Sequence, residues 1–203
     1  MRRTGVALGI ALLGLAAGAA AQAPSTVPER VAPAPGVDVA THFAPWTLTS
    51  VTPPEIDAET VRNGPCGKPA CTEWNIDPVV GFEPLDGGCG TAQVTTRVTI
   101  TYRLPIWAPA TPPSAQMEAW WPRQFASILA HEGGHRDLAV ETANAIQELL
   151  VALPPEPSCE EMRALAKEEA LRLIEAGNRL QREYDVLREA EIRAAIRAGL
   201  GPP

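Results

Sequence analysis

The chain contains three histidines, and two of them stand four positions apart in His131-Glu132-Gly133-Gly134-His135. On a helix, residues i and i+4 share one face, with about 5–6 Å between their Cβ atoms. Two neutral imidazoles placed so can reach one Zn²⁺ at about 2.0–2.1 Å each. Glu132 then lies beside the first ligand, where a carboxylate can take a proton from the attacking water and pass it to a leaving amine. Zinc would lower the pKa of that water toward about 7 and polarise the scissile carbonyl. Two adjacent glycines inside a helix cost about 1 kcal/mol each relative to alanine, so the pair Gly133-Gly134 calls for compensation by a close neighbour.

A catalytic zinc takes a third protein ligand. No histidine follows His135, and His42 lies at the edge of a Pro- and Ala-rich stretch. The third ligand is therefore expected to be a carboxylate of the C-terminal segment. That segment offers Glu160, Glu161, Glu168, Glu169, Glu175, Asp185, Glu189 and Glu191.

The elements that must position these groups follow from periodicity. From Val94 to Ile106 the even-numbered residues are Val94, Thr96, Val98, Ile100, Tyr102, Leu104 and Ile106. They face one side, with Thr95, Arg97, Thr99, Thr101 and Arg103 on the other, which predicts a strand with one buried and one wet face. Shorter strands are expected at Trp46–Val51, stopped by Pro53-Pro54, and at Thr72–Ile76, resuming at Val79-Val80. Between Arg123 and Leu153 there is no proline, and apolar residues recur at helical spacing. Pro122 suits either the first turn of this helix or a kink in one beginning near Ser114. Trp120, Trp121 and Phe125 are expected in the core rather than as a substrate platform. Ser158 and Glu161 form a capping-box pattern that opens a second helix, running to about Ala198. Leu173, Ile174, Leu180, Tyr184 and Leu187 are expected to line its inner side.

The fold class expected is α+β. A small antiparallel β-rich half (41–113) packs on a long helical hairpin (114–203) that carries His131, Glu132 and His135, the two forming one domain. Residues 1–21 read as a signal peptide: Arg2 and Arg3, an uncharged apolar run, then Ala19-Ala20-Ala21 before Gln22. Residues 22–40, rich in Pro, Ala and Val, are expected to form a flexible segment. No second apolar stretch approaches membrane-spanning length, so the mature protein is expected in the periplasm or secreted. In such an oxidising compartment Cys66, Cys71, Cys89 and Cys159 form two disulfides in one of three pairings. The turn-rich loop between Cys66 and Cys71 favours local closure, which leaves Cys89 to Cys159. A net charge of −7 with no basic block excludes nucleic-acid binding.

These segments, in their order, resemble one family: the bacterial predicted secreted Zn-dependent proteases, a zincin-like domain of unknown function 922. The resemblance runs from Trp46 to Glu191. It rests on Gly64-Pro65, Thr72-x-Trp74, Cys89 leading into the alternating strand, Leu104-Pro-x-Trp107, the His131-to-His135 core followed by Arg136-Asp137, Cys159, and Tyr184-Asp185. Family members close with Tyr-Asp-x-x-Thr-x-His-Gly, whereas this chain has Arg188, Ala190 and Glu191 at the threonine, histidine and glycine positions. If that histidine is the family's third ligand, either Asp185, Glu189 or Glu191 replaces it here, or the site binds metal weakly and catalysis is impaired. Tyr184 is expected to support the ligands from behind, or to stabilise an oxyanion. The resemblance implies a zinc metallopeptidase acting on a peptide or protein substrate. The rival reading is a non-catalytic or impaired envelope binding protein that keeps the protease fold.

Overall fold

The computed structural model describes residues 27–197, without the side chains of residues 189 and 192–197. The expected signal segment 1–21 lies outside the described residues. The elements are β1 (Val37–Phe43), β2 (Trp46–Leu48), α1 (Pro53–Asn63), β3 (Cys71–Leu85), β4 (Gly88–Arg103), β5 (Pro105–Trp107), α2 (Ala115–Val151) and α3 (Cys159–Arg197). This is the α+β architecture that the sequence patterns predict, with the two long helices following the strands and the short α1 lying between β2 and β3.

The alternating stretch forms most of β4. Thr96, Val98, Ile100 and Tyr102 are buried, while Arg97 and Thr99 are exposed. The alternation changes phase at Leu104, beyond which Pro105 and Trp107 rather than Ile106 are buried. Proline has no N–H to give to the ladder, and the strand leaves the first sheet there. β4 and β3 form an antiparallel hairpin turned at Gly87, whose φ of +84° suits glycine. β1 lies parallel to β4 on its other edge, and β2 lies parallel to β5. The sheets are thus antiparallel at the hairpin and parallel where 37–48 runs beside 96–107.

α2 starts at Ala115, with Ser114 as its cap accepting from the Met117 N–H, so Pro122 falls inside the helix. Ile146, Val140, Ala143 and Leu150 of α2 are fully buried with Val98 and Ile100 of β4, and this contact forms the core. The Ser158 box opens α3: its hydroxyl accepts from the Glu161 N–H and donates to the Glu161 carboxylate.

The inner face of α3 differs in part from expectation: Leu173, Ile174 and Tyr184 pack inward, but the two remaining leucines do not. Leu180 and Leu187 are 47% and 64% exposed, while Met162, Ala166, Ala170 and Gln181 are buried. Small side chains let α3 approach α2 closely. A Cβ on Gly177 would stand 2.7 Å from Thr142 Oγ1.

Residues 22–40 are not a flexible segment from Val27 onward. Val27 and Val37 join the core. The backbone between them is held by side chains of α2: Asp137 accepts from the N–H groups of Arg30 and Val31, and Asn144 accepts from that of Ala34. Arg136, 2% exposed, donates to the Val31 carbonyl, to Glu29 and to Asp137. Side-chain hydrogen bonds supply here what the small apolar residues cannot supply by area. The cysteines pair as Cys66–Cys71 and Cys89–Cys159, which fits an oxidising compartment. Among the described residues, no helix is long and apolar enough to cross a membrane.

Candidate metal centre

The two helices run antiparallel, and their facing stripes build the site. On α2 the stripe includes His131, His135 and Thr142. On α3, read in the opposite direction, it includes Asp185, Gln181 and Gly177. Both helices therefore present pairs at the i,i+4 spacing that shares a face. Asp185 Oδ1 lies 3.1 Å from His131 Nε2 and 3.1 Å from His135 Nε2, and the two Nε2 atoms are 3.2 Å apart. The edge of a tetrahedron with bonds of about 2.0–2.1 Å is about 3.3–3.4 Å. The triangle of donor atoms matches one face of such a polyhedron, so His131, His135 and Asp185 can hold a metal ion.

The protonation pattern agrees. Gln181 donates its amide N–H to the His135 carbonyl at 3.0 Å, which turns its own carbonyl oxygen toward His135 Nδ1. That oxygen can only accept, so Nδ1 carries the proton and Nε2 presents a lone pair. Burial holds the His131 pKa down at about 4 against the opposing Asp185 carboxylate, so this ring is neutral at neutral pH. Its Nδ1 is buried with no hydrogen-bond partner among the described residues. The neighbour that orients this ring is Tyr184, stacked on it with centroids 5.1 Å apart and edge-on to His135 at 5.0 Å.

Burial would raise the Asp185 pKa, but the Lys68 ammonium, at 2.9 Å from Oδ2, outweighs it and keeps the carboxyl ionised. Lys68 sits in the loop closed by Cys66–Cys71. Glu132 is 3% exposed. Burial raises its pKa, against the opposing hydrogen bond that the Thr72 hydroxyl donates to Oε2 at 2.7 Å. A carboxylate raised in this way suits a general base.

The paired glycines now have their reasons. A Cβ on Gly133 would stand 2.8 Å from the Pro28 carbonyl oxygen, and one on Gly134 would stand 2.2 Å from the Tyr184 hydroxyl. The first admits the N-terminal segment, the second the aromatic ring.

Of the three carboxylates expected as third ligand, the structure brings Asp185 to the histidines. Glu191 is not brought there: it is 64% exposed and pairs with Arg188. The side chain of Glu189 lies outside the described ones. Position 190, where the family carries histidine, is turned about 140° around the helix from Asp185, and Ala190 is exposed. A ligand at 190 would not share the Asp185 face, so the alanine there takes nothing from this donor set. His42 is exposed on β1. Lys68, Thr72 and Gln181 carry roles that the sequence reading did not assign. For Gln181 the signal existed: it precedes Asp185 by four residues, repeating the histidine spacing.

A family model described as "Bacterial protein of unknown function (DUF922)" matches residues 45–190. No curated protein and no solved structure matches the chain.

Proposed function

Because the chain belongs to the DUF922 family of bacterial proteins of unknown function, its activity must be argued from its own geometry, and we propose a zinc-dependent peptidase exported to the periplasm or beyond. The observation that carries this reading is the convergence of His131 Nε2, His135 Nε2 and Asp185 Oδ1 within 3.2 Å of one another, beside the buried Glu132. The donor set of two imidazoles and one carboxylate is one that zinc takes in catalytic sites.

His131, His135 and Asp185 would hold the ion, Gln181 fixing the tautomer of His135 and Lys68 the outer oxygen of Asp185. When bound, zinc supplies Lewis-acid polarisation of the scissile carbonyl and makes water acidic enough to ionise near neutral pH. Glu132 receives the proton of the attacking water and returns it to the leaving amine. Thr72 engages Oε2 and so assigns this work to Oε1. Residues 27–197 act as one zincin-like unit in this reading.

Elemental analysis of the purified protein tests the proposal. One zinc per chain is expected, lost in His135→Ala and Asp185→Ala and kept in Glu132→Gln. Peptide hydrolysis should fall by about 10²-fold or more in Glu132→Gln. Absence of zinc after loading in zinc-containing buffer would overturn the metal centre. Stoichiometric zinc with no hydrolysis in the wild type would instead favour a binding protein that keeps the site.

A further inference from the structure

A cleft of about 470 Å³ opens from the metal centre, with His131, Glu132 and Asp185 in its lining. Its walls are otherwise mostly apolar: Trp46, Leu48, Ile56, Trp120, Trp121 and Ile128. That volume and lining are typical of sites that enclose an organic group, with few polar atoms to orient it. The walls are braced before any ligand arrives. The Trp46 indole N–H donates to the Pro69 carbonyl at 2.9 Å, and Pro69 lies in the loop closed by Cys66–Cys71. Trp121 packs against Trp107 and Phe125, with ring centroids 5.4 and 5.9 Å away. A preformed wall spares the ordering cost of binding.

The two cations of the lining are already engaged, and its remaining carboxylate, Asp57, is exposed to water. Lys68 pairs with Asp185, and Arg188 with Glu191. Neither leaves a bare cation to select an acidic group, and the apolar walls give a charged group no compensation for lost hydration. An uncharged, bulky occupant suits these walls best, with its attachment point beside Glu132.

Resting on the reading of the metal centre as a peptidase site, we propose that this cleft is its specificity pocket. It takes a large apolar or aromatic side chain, such as phenylalanine or leucine, from the residue adjoining the bond that is cut. The ring enters between the tryptophans and Ile128, and its backbone remains at the metal and Glu132. Peptides with glycine at that position forfeit this burial.

Two measurements test the pocket separately from the hydrolysis. The first is kcat/KM of the zinc-loaded protein on paired peptides that differ only in phenylalanine or glycine at each position flanking the cut. The phenylalanine peptide should be favoured at least about tenfold at one of these positions, and Ile128→Trp, which fills the space, should bring that ratio toward one. The second is calorimetric binding of acetyl-phenylalanine amide and acetyl-glycine amide to zinc-loaded Glu132→Gln, which needs no turnover. Saturable binding of the phenylalanine compound alone is expected. Hydrolysis without side-chain preference overturns the pocket and leaves the peptidase standing. Selective binding without hydrolysis in the wild type supports the pocket and removes the peptidase. Failure of selective binding in the folded Glu132→Gln protein overturns the pocket even if Ile128→Trp does not fold.

Discussion

Gly134 shows how much of the centre rests on single residues. Alanine there would better suit a helix by about 1 kcal/mol, yet its methyl would meet the Tyr184 ring at 2.2–3.0 Å. That ring is held between the two imidazoles and cannot yield without turning them. Gly134→Ala is expected to lower unfolding stability by about 1–3 kcal/mol, as overpacking does, and to weaken zinc binding in the same protein. Zinc titration of the variant beside its denaturant curve checks both. A more stable variant with full zinc affinity would refute the role given to the ring. At this scale the sequence disclosed the candidate ligands and base, because His131, Glu132 and His135 share one short stretch of helix. It disclosed Asp185 only as one of three. Lys68 and Thr72 stayed hidden, since each acts on a residue at least 60 positions away, Lys68 on Asp185 and Thr72 on Glu132.

Among the elements, α1 and β1 were the least visible in the sequence, and α1 shows why. Pro53-Pro54 reads as a strand stop, but prolines also open helices, where their missing N–H has no partner to lose. The helix is fastened by Glu59, 6% exposed, whose carboxylate accepts from the backbone and hydroxyl groups of Thr49 and Ser50. Burial alone would raise its pKa, but these hydrogen bonds outweigh burial and lower it below the usual 4.5. A lowered carboxylate stabilises the fold fully above its unfolded pKa and loses that contribution as pH falls through its folded value. Glu59→Gln should therefore cost about 1.5–3 kcal/mol near pH 7, with the gap to wild type closing below about pH 4.5. Chemical denaturation of both proteins at a series of pH values would show this. A gap independent of pH would remove the argument. The strand of 94–103 was legible because alternation is a local property. Segment 27–36 was not, because its anchors Asp137 and Asn144 come from another element.

Across the molecule, the two disulfides divide the work unequally. Cys89–Cys159 spans 70 residues and joins β4 to the start of α3, whereas Cys66–Cys71 spans five. By loop closure the first is worth about 4 kcal/mol and the second about 2 kcal/mol. Replacing Cys89 and Cys159 by serine should therefore cost about twice as much stability as replacing Cys66 and Cys71. The smaller loss should still reach the metal, because that loop carries Lys68 to Asp185. Denaturant midpoints and zinc affinities of the two double variants test the division. Equal zinc affinity in wild type and the 66/71 variant would sever the loop from the centre.

Asp185 sits 26 positions beyond Cys159 on one unbroken helix. At 1.5 Å per residue this is a rod of about 39 Å, pinned by sulfur at one extremity and carrying a donor near the other. A swing of one degree about that pin sweeps the carboxylate through about 0.7 Å, beyond the roughly 0.5 Å within which reactive groups must be kept. The narrow seam at Gly177 and Thr142 acts as the fulcrum guide of this lever, so remote repacking there would be amplified at the His131, His135 and Asp185 triangle long before the fold itself gave way.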